Sequence, residues 1–242
     1  MVYEPNYKKD YIALNIIDTT EQVSEKNNED LEENTKSETI NGKHEWFAPK
    51  RWLGDREIDW AFSQTLKPSN YHILPAHQFH YAKEASHTAE AQAYLALPEL
   101  LAELNSKYDL VFIPVNNPDF HWSLLVYETK SQTFYHYDTL NGANYEYVKP
   151  LVKDILLAKE VPASEWEQHL IPQHQISQGN SYDCGIAVIE IAKKIMERYQ
   201  GDLANLNLGN FNFTQARSNW RQRWERQNSQ QIAQIQQNYP KK

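Results

Sequence analysis

Three runs rich in aromatic and β-branched residues, DLVFIPV (Asp109 to Val115), HWSLLVYE (His121 to Glu128) and TFYHYD (Thr133 to Asp138), follow one another with only Asn-Pro-Asp or polar turns between them. Such spacing predicts consecutive strands of one sheet. Helical patterns surround them. RWLGDREIDWAFSQTL reads as a turn entering a helix, with Asp55 placed to cap it and Ile58, Ala61, Phe62 and Leu66 on or near one face. Further helices are expected over Thr88 to Asn105, Tyr145 to Ala158 and Cys184 to about Tyr199, with a strand near His169 to Ile176. The expected class is therefore α+β, a central mixed or antiparallel sheet flanked by helices.

At 28.4 kDa with 40% hydrophobic residues, the chain can bury one sizeable core and needs no second domain. The expected organisation is an N-terminal arm and acidic linker over 1–45, a domain over 46–210, and an amphipathic helix and tail over 211–242. YIALNII (Tyr11 to Ile17) could form a short strand in the arm, and Thr19 to Ser37 reads as a flexible, solvated tether. A net charge of −8 argues against nucleic acid as a partner, since neutralising phosphates takes a basic surface. A protein or peptide partner suits the composition better. One cysteine cannot form an internal disulfide, and no secretory h-region or spanning helix is visible, so a reducing, cytosol-like compartment and a monomer are expected.

That one cysteine, Cys184, lies in QGNSYDCG directly before an apolar helical stretch. A thiol becomes a nucleophile when it loses its proton, which calls for an imidazole, a carboxylate to hold it and a positive local field. His121 begins one predicted strand and Asp138 ends the next, and antiparallel pairing brings those ends together. At the first turn of a helix, unpaired N–H groups favour a thiolate at Cys184. Gln178, six residues earlier, carries an amide that could donate to an oxyanion beside the Cys184 N–H. Gly185 would leave space for a substrate backbone. Taken singly, each has an ordinary explanation: a buried small hydrophobe, a strand-end histidine, a turn aspartate and a loop glutamine.

Together WLGD (Trp52 to Asp55), HWSLLVY, FYHYDT (Phe134 to Thr139) and QGNSYDCG resemble, in order and spacing, the ubiquitin-like protease family, the Ulp/SENP-type cysteine proteases of clan CE. The resemblance covers about Trp46 to Tyr199. It implies a papain-related α+β fold that cleaves after the Gly-Gly tail of ubiquitin-like modifiers, with His121 as general base and acid, Asp138 as its orienter, Cys184 as nucleophile and Gln178 as oxyanion donor. It also implies that Trp52 and Trp122 wall a narrow tunnel, which flat indoles would restrict to glycines. Asp55 becomes a structural or substrate-contacting carboxylate, while Gly54 stands where many relatives have Asn. No cofactor is needed.

The wording of these motifs is more similar to the deneddylase branch and to bacterial effector proteases than to SUMO proteases, which ranks ubiquitin or a Nedd-type modifier first as partner. An Asn/Gln-rich composition without nuclear-type basic runs points to a bacterial protein working in a host cytoplasm. The alternatives are a SUMO-specific protease, an acetyltransferase effector of the same clan using the same cysteine, and a modifier-binding module without activity. His72, His77, His80 and His87 lack a metal-site pattern and read as loop and helix-flanking residues. The specificity loops are expected at Tyr71 to Ser86 and Asn141 to Tyr147. From Thr214 to Gln237 the reading is a helix with Trp220 and Trp224 packed inward and Arg217, Arg221, Arg223 and Arg226 on a solvated basic face. The sharper alternative for that helix is contact with a partner, lipid or acidic modifier, separable by a truncation at Gly209 that keeps the fold and loses binding.

Overall fold

The computed structural model describes residues 45–65, 70–76, 102, 104 and 107–238. Among these, the β-branched and aromatic runs form β2 (Leu110–Asn117), β3 (His121–Glu128) and β4 (Thr133–Tyr137), joined in antiparallel register with Phe112 opposite Val126 and Tyr127 opposite Phe134. Two short strands extend this meander: β1 (Tyr71–Ile73) runs parallel to β2, and β5 (Leu170–Gln173) runs parallel to β4. The sheet order is β1-β2-β3-β4-β5, a mixed sheet with the antiparallel part at its centre.

Every residue of β3 and β4 is buried, so both faces of the sheet are covered. One face, carrying Val111, Ile113, Val115, Leu125, Tyr127 and Phe134, packs on Val148, Leu151, Val152 and Ile155 of helix α2 (Tyr145–Ala158). Alternation along a strand puts Leu110, Phe112, Leu124 and Val126 on the other face, where helix α3 (Cys184–Arg198) packs against β3. In α3, Ile186, Ala187, Ile189, Ile191, Ala192 and Ile195 are buried, a helical period that explains why this segment forms a helix over the central strand.

Some boundaries differ from expectation. Helix α1 (Asp55–Ser63) is capped by Gly54, and Asp55 is its first helical residue. The capping carboxylate is Glu57, which accepts the Gly54 N–H at 2.9 Å and the Phe47 N–H at 2.7 Å and also pairs with Arg51. The residues before β5 form a 3-10 turn, Trp166–His169, in which Trp166 is buried. His72 lies on β1, stacked on Tyr108 at 4.9 Å, rather than in a loop. The expected N-terminal arm and linker, most of the helix over Thr88 to Asn105, Leu66, His77, His80 and His87 lie outside the described residues.

Helix α4 (Phe213–Asn238) lies against α3, where the Trp220 indole N–H donates to Glu190 at 2.8 Å, and against α1 through an aromatic cluster: Trp224 stacks on Trp46 at 4.0 Å, Trp60 meets both Trp220 and Trp224 edge-on, and Phe47 stacks on Trp220. Arg217 departs from the expected solvated face. It is 5% exposed, donates Nε to Asp183 Oδ1 at 2.6 Å, and gives its other nitrogens to the carbonyls of Tyr182 and Ala48. A guanidinium can be buried this way because its fixed fork of donors is matched by acceptors. No helix among the described residues is long and apolar enough to cross a membrane.

Candidate active site

The β3–β4 register does what strand pairing predicts for its ends. Leu124 opposes Tyr137, so the chain leaving β4 passes the start of β3, and His121 Nε2 meets Asp138 Oδ1 at 2.8 Å. Both side chains are completely buried. Asp138 also accepts the backbone N–H of Leu140 on Oδ1 at 2.9 Å and of Asn144 on Oδ2 at 2.7 Å. Burial alone would push this carboxyl up, but the three donors and the His121 charge pull it down to about 2. It therefore stays ionised and accepts the Nε2 proton.

The other ring nitrogen, His121 Nδ1, is buried and makes no hydrogen bond within normal distance. Burial opposes charge on this ring, yet Asp138 and the Cys184 sulfur outweigh it and lift its pKa to about 9. Because Asp138 holds Nε2, the influence of Cys184 falls on Nδ1. Cys184 is the first residue of α3, 2% exposed, with Asp183 as the cap. The structure thus brings together the three residues named from the sequence, in the roles their geometry permits: carboxylate, imidazole, thiol.

Gln178 joins them. It is 6% exposed, and its backbone N–H donates to the Thr139 carbonyl at 3.3 Å. Its Oε1 accepts the Thr139 hydroxyl at 2.6 Å, and its Nε2 donates to the Asn180 carbonyl at 2.5 Å. A primary amide has two N–H bonds, and with Oε1 tied to Thr139 its amino group points along the loop that leads to Cys184. Asn180 itself accepts two backbone N–H groups, from Tyr182 and Asp183, and donates to Asp183 Oδ2, so the loop before the thiol is a closed turn.

The tryptophans are not equivalent walls. Trp52 is 42% exposed, with its indole N–H on the Ser181 carbonyl at 2.7 Å, whereas Trp122 is buried and donates to the Leu53 carbonyl at 2.9 Å. Trp122 thus anchors the loop that carries Trp52, whose indole sits on the turn before Cys184. Gly185 also corrects the sequence reading: a Cβ there would come 2.9 Å from Leu53 Cβ, so the missing side chain makes room for Leu53, not for substrate. Asp55 accepts the Asn116 amide at 3.2 Å, tying α1 to the end of β2. Three contributors escaped the sequence reading: Asn144, Thr139 and the Arg217–Asp183 pair. Each is polar and fully or nearly buried, and their partners become visible only in three dimensions.

Residues 81–233 match the Ulp1 protease family, C-terminal catalytic domain. The chain belongs to the Ulp1 protease family. The matched stretch contains His121, Asp138, Gln178 and Cys184 and extends through most of α4, further than the motif resemblance reached; WLGD precedes it. Among curated relatives within reach of this family, sentrin-specific protease 8 of Rattus norvegicus is 28% identical over 153 residues, 58% of this chain and 67% of that protein. NEDD8-specific protease 1 of Arabidopsis thaliana is 34% identical over 111 residues, 42% of this chain and under half of that protein, 47%. In fold, the chain resembles the Xanthomonas campestris effector XopD bound to ubiquitin, with a TM-score of 0.55, 21% identity and coverage of 78% of this chain and all of that one. It also resembles the C-terminal Ulp1 protease domain in complex with Smt3, the yeast ortholog of SUMO, with a TM-score of 0.52, 21% identity and coverage of 72% and 76%. Ulp1-family membership makes this a cysteine protease of the class that acts on ubiquitin-like modifiers.

Proposed function

We propose that this chain is a thiol isopeptidase that cleaves after the C-terminal Gly-Gly of ubiquitin or a Nedd-type modifier joined to a lysine. The observation that carries the reading is a buried His121 whose Nε2 is fixed by Asp138 and whose unbonded Nδ1 is left to the only thiol in the chain. Cys184 passes its proton to His121 Nδ1, and its thiolate Sγ attacks the glycine carbonyl, so that a C–S bond forms as the carbonyl π pair moves onto oxygen. Gln178 and the Cys184 backbone N–H receive the oxyanion. As the C–N bond breaks, the imidazolium of His121 gives its proton to the departing lysine amine. Water, deprotonated by the same imidazole, then hydrolyses the thioester and restores the thiol.

Trp52, held against Ser181, is the flat wall past which only residues without Cβ fit, and the Gly-Gly tail is the substrate feature it selects. The likeness to a protein named NEDD8-specific protease 1 supports a Nedd-type modifier beside ubiquitin. Composition supports the site of action: a single reduced cysteine suits cytosol, and the Asn/Gln-rich acidic chain suits a bacterial protein delivered into a host cytoplasm.

The test exposes purified protein and its Cys184→Ala variant to ubiquitin, Nedd-type and SUMO-type probes bearing a C-terminal electrophile, read by intact mass. An adduct with ubiquitin or the Nedd-type probe, absent from the variant, is expected. A SUMO-only adduct would replace the modifier assignment. No adduct from folded protein, together with acetyl transfer from acetyl-coenzyme A to Cys184, would replace the reaction class.

A further inference from the structure

Asn144 occupies the N-cap position of α2, where an asparagine ordinarily turns its side chain back to satisfy the first free N–H groups of its own helix. Here it makes no such bond. Its amide nitrogen instead donates to the His121 carbonyl at 3.1 Å and the Ser123 hydroxyl at 3.0 Å, and its Oδ1 accepts the Asn117 amide at 3.2 Å. Its backbone N–H goes to Asp138 Oδ2 at 2.7 Å. The residue is 0% exposed. A helix cap has been surrendered, and the side-chain groups it frees meet the His121 carbonyl, the Ser123 hydroxyl and Asn117, the β2 residue opposite His121. A local rule broken at a buried polar residue is the signature expected of a functional position.

The turn that delivers Asn144 is itself specialised. Asn141 and Gly142 both adopt left-handed backbone, and at Gly142 a Cβ would approach His174 Cε1 to 2.7 Å, so the chain folds tightly enough to drive the next residues inward. Within the expected loop Asn141 to Tyr147, Asn144 is the one interior residue, Asn141, Ala143 and Glu146 are exposed, and Tyr145 already begins α2.

Resting on the isopeptidase reading above, we infer that Asn144 is a positioning residue for the catalytic pair: one residue clamps the His121 backbone and the Asp138 carboxylate together, and so sets where Nδ1 meets the thiol. The backbone bond holds the outer oxygen of Asp138, leaving Oδ1 for Nε2. The side-chain bonds fix the first residues of β3, from which the imidazole projects. Both groups act through His121 and Asp138. The ionisable neighbours of His121 are Asp138, Cys184 and His136, the last of which reaches Asn144 through a shared contact with Ser123 Oγ, His136 Nε2 lying 3.0 Å from it.

Replacing Asn144 with Leu keeps size and the backbone donor and removes the side-chain bonds. Its expected effect on hydrolysis of fluorogenic C-terminal amides of ubiquitin and the Nedd-type modifier is a fall in kcat of roughly 10- to 100-fold, with KM unchanged within about twofold. The alkaline limb of the pH profile should move down from about 9 toward the ordinary imidazole range, since a looser Asp138 contact stabilises imidazolium less. A merely structural residue would lower the folded fraction without moving that limb. The His121 ring titration, followed by NMR in the full chain, gives the same readout without any substrate, so it tests Asn144 even where the modifier assignment fails. Asn117→Ala removes only the bond to Asn144 Oδ1 from a half-buried site, and should produce a smaller change in the same direction. Unaltered kcat per folded molecule with an unmoved His121 titration, in Asn144→Leu or, where that variant does not fold, in Asn117→Ala, overturns the proposal.

Discussion

At the scale of single residues, the His121–Asp138 contact makes predictions on both sides of neutrality. His121 is raised from 6.5 to about 9 in the fold, so the stability it contributes is complete below 6.5 and is lost as pH rises through about 9. Asp138 is lowered from 3.8 to about 2, so its contribution is complete above 3.8 and is lost as pH falls through about 2. Activity follows the histidine: kcat/KM for a modifier amide should fall as pH rises through about 9, because the neutral ring has no proton for the departing amine. A pH profile flat to pH 10 would contradict this. Asp138→Asn should lower kcat by about 10³- to 10⁴-fold, because the amide presents its oxygen or nitrogen without the charge that fixes the tautomer. Single-turnover assays of correctly folded variant check the size. His136 acts in the opposite sense: burial holds it down near 4, so the unfolded chain takes up a proton that the folded one refuses as pH drops from 6.5 to 4. Denaturant midpoints should decline across that window, and His136→Leu should flatten the decline.

At the scale of elements, strands β2, β3 and β4 and helix α3 were readable because each repeats one physical signal, alternating or continuous apolar residues over a full element length. His121 and Asp138 followed from them, since antiparallel register alone puts those ends side by side. The cap of α1 was misassigned because Asp55 has the chemistry of a cap, whereas Glu57 wins by also holding Phe47 and Arg51. Gly185 was misread for a related reason: a glycine beside a nucleophile suggests space, and the occupant of that space, Leu53, lies far away in the chain. Gly185→Ala should therefore push Leu53 and the loop bearing Trp52 off α3. The expected cost is about 1–3 kcal/mol of stability together with a rise in KM, measured by urea unfolding and steady-state kinetics. Unchanged KM would mean that the loop accommodates the methyl without moving Trp52.

At the scale of the whole molecule, the last helix is joined to the catalytic loop. Arg217 spans from α4 to Asp183, next to the nucleophile, and to Ala48, 169 positions away in the chain. No periodicity could reveal such a contact, and amphipathic patterning assigned the arginine to solvent. Breaking one partner of a buried pair costs about 3–5 kcal/mol, so Arg217→Ala should lower the unfolding midpoint and also loosen the turn before Cys184. The check is the probe-labelling rate at a temperature where the variant remains folded: it should drop, and a rate equal to that of the parent would confine Arg217 to stability. By the same contact, truncation at Gly209 should reduce labelling of Cys184 itself, not merely partner binding.

The position of that arginine also orders events in time. A ribosome finishes α3, with its cysteine, before it makes α4, so during synthesis the nucleophile exists for a while without Arg217 to close the Asp183 turn and without Trp220 and Trp224 to cover Trp46 and Trp60. A growing chain therefore carries His121, Asp138 and Cys184 before it carries the arginine that ties the Asp183 turn to the final helix.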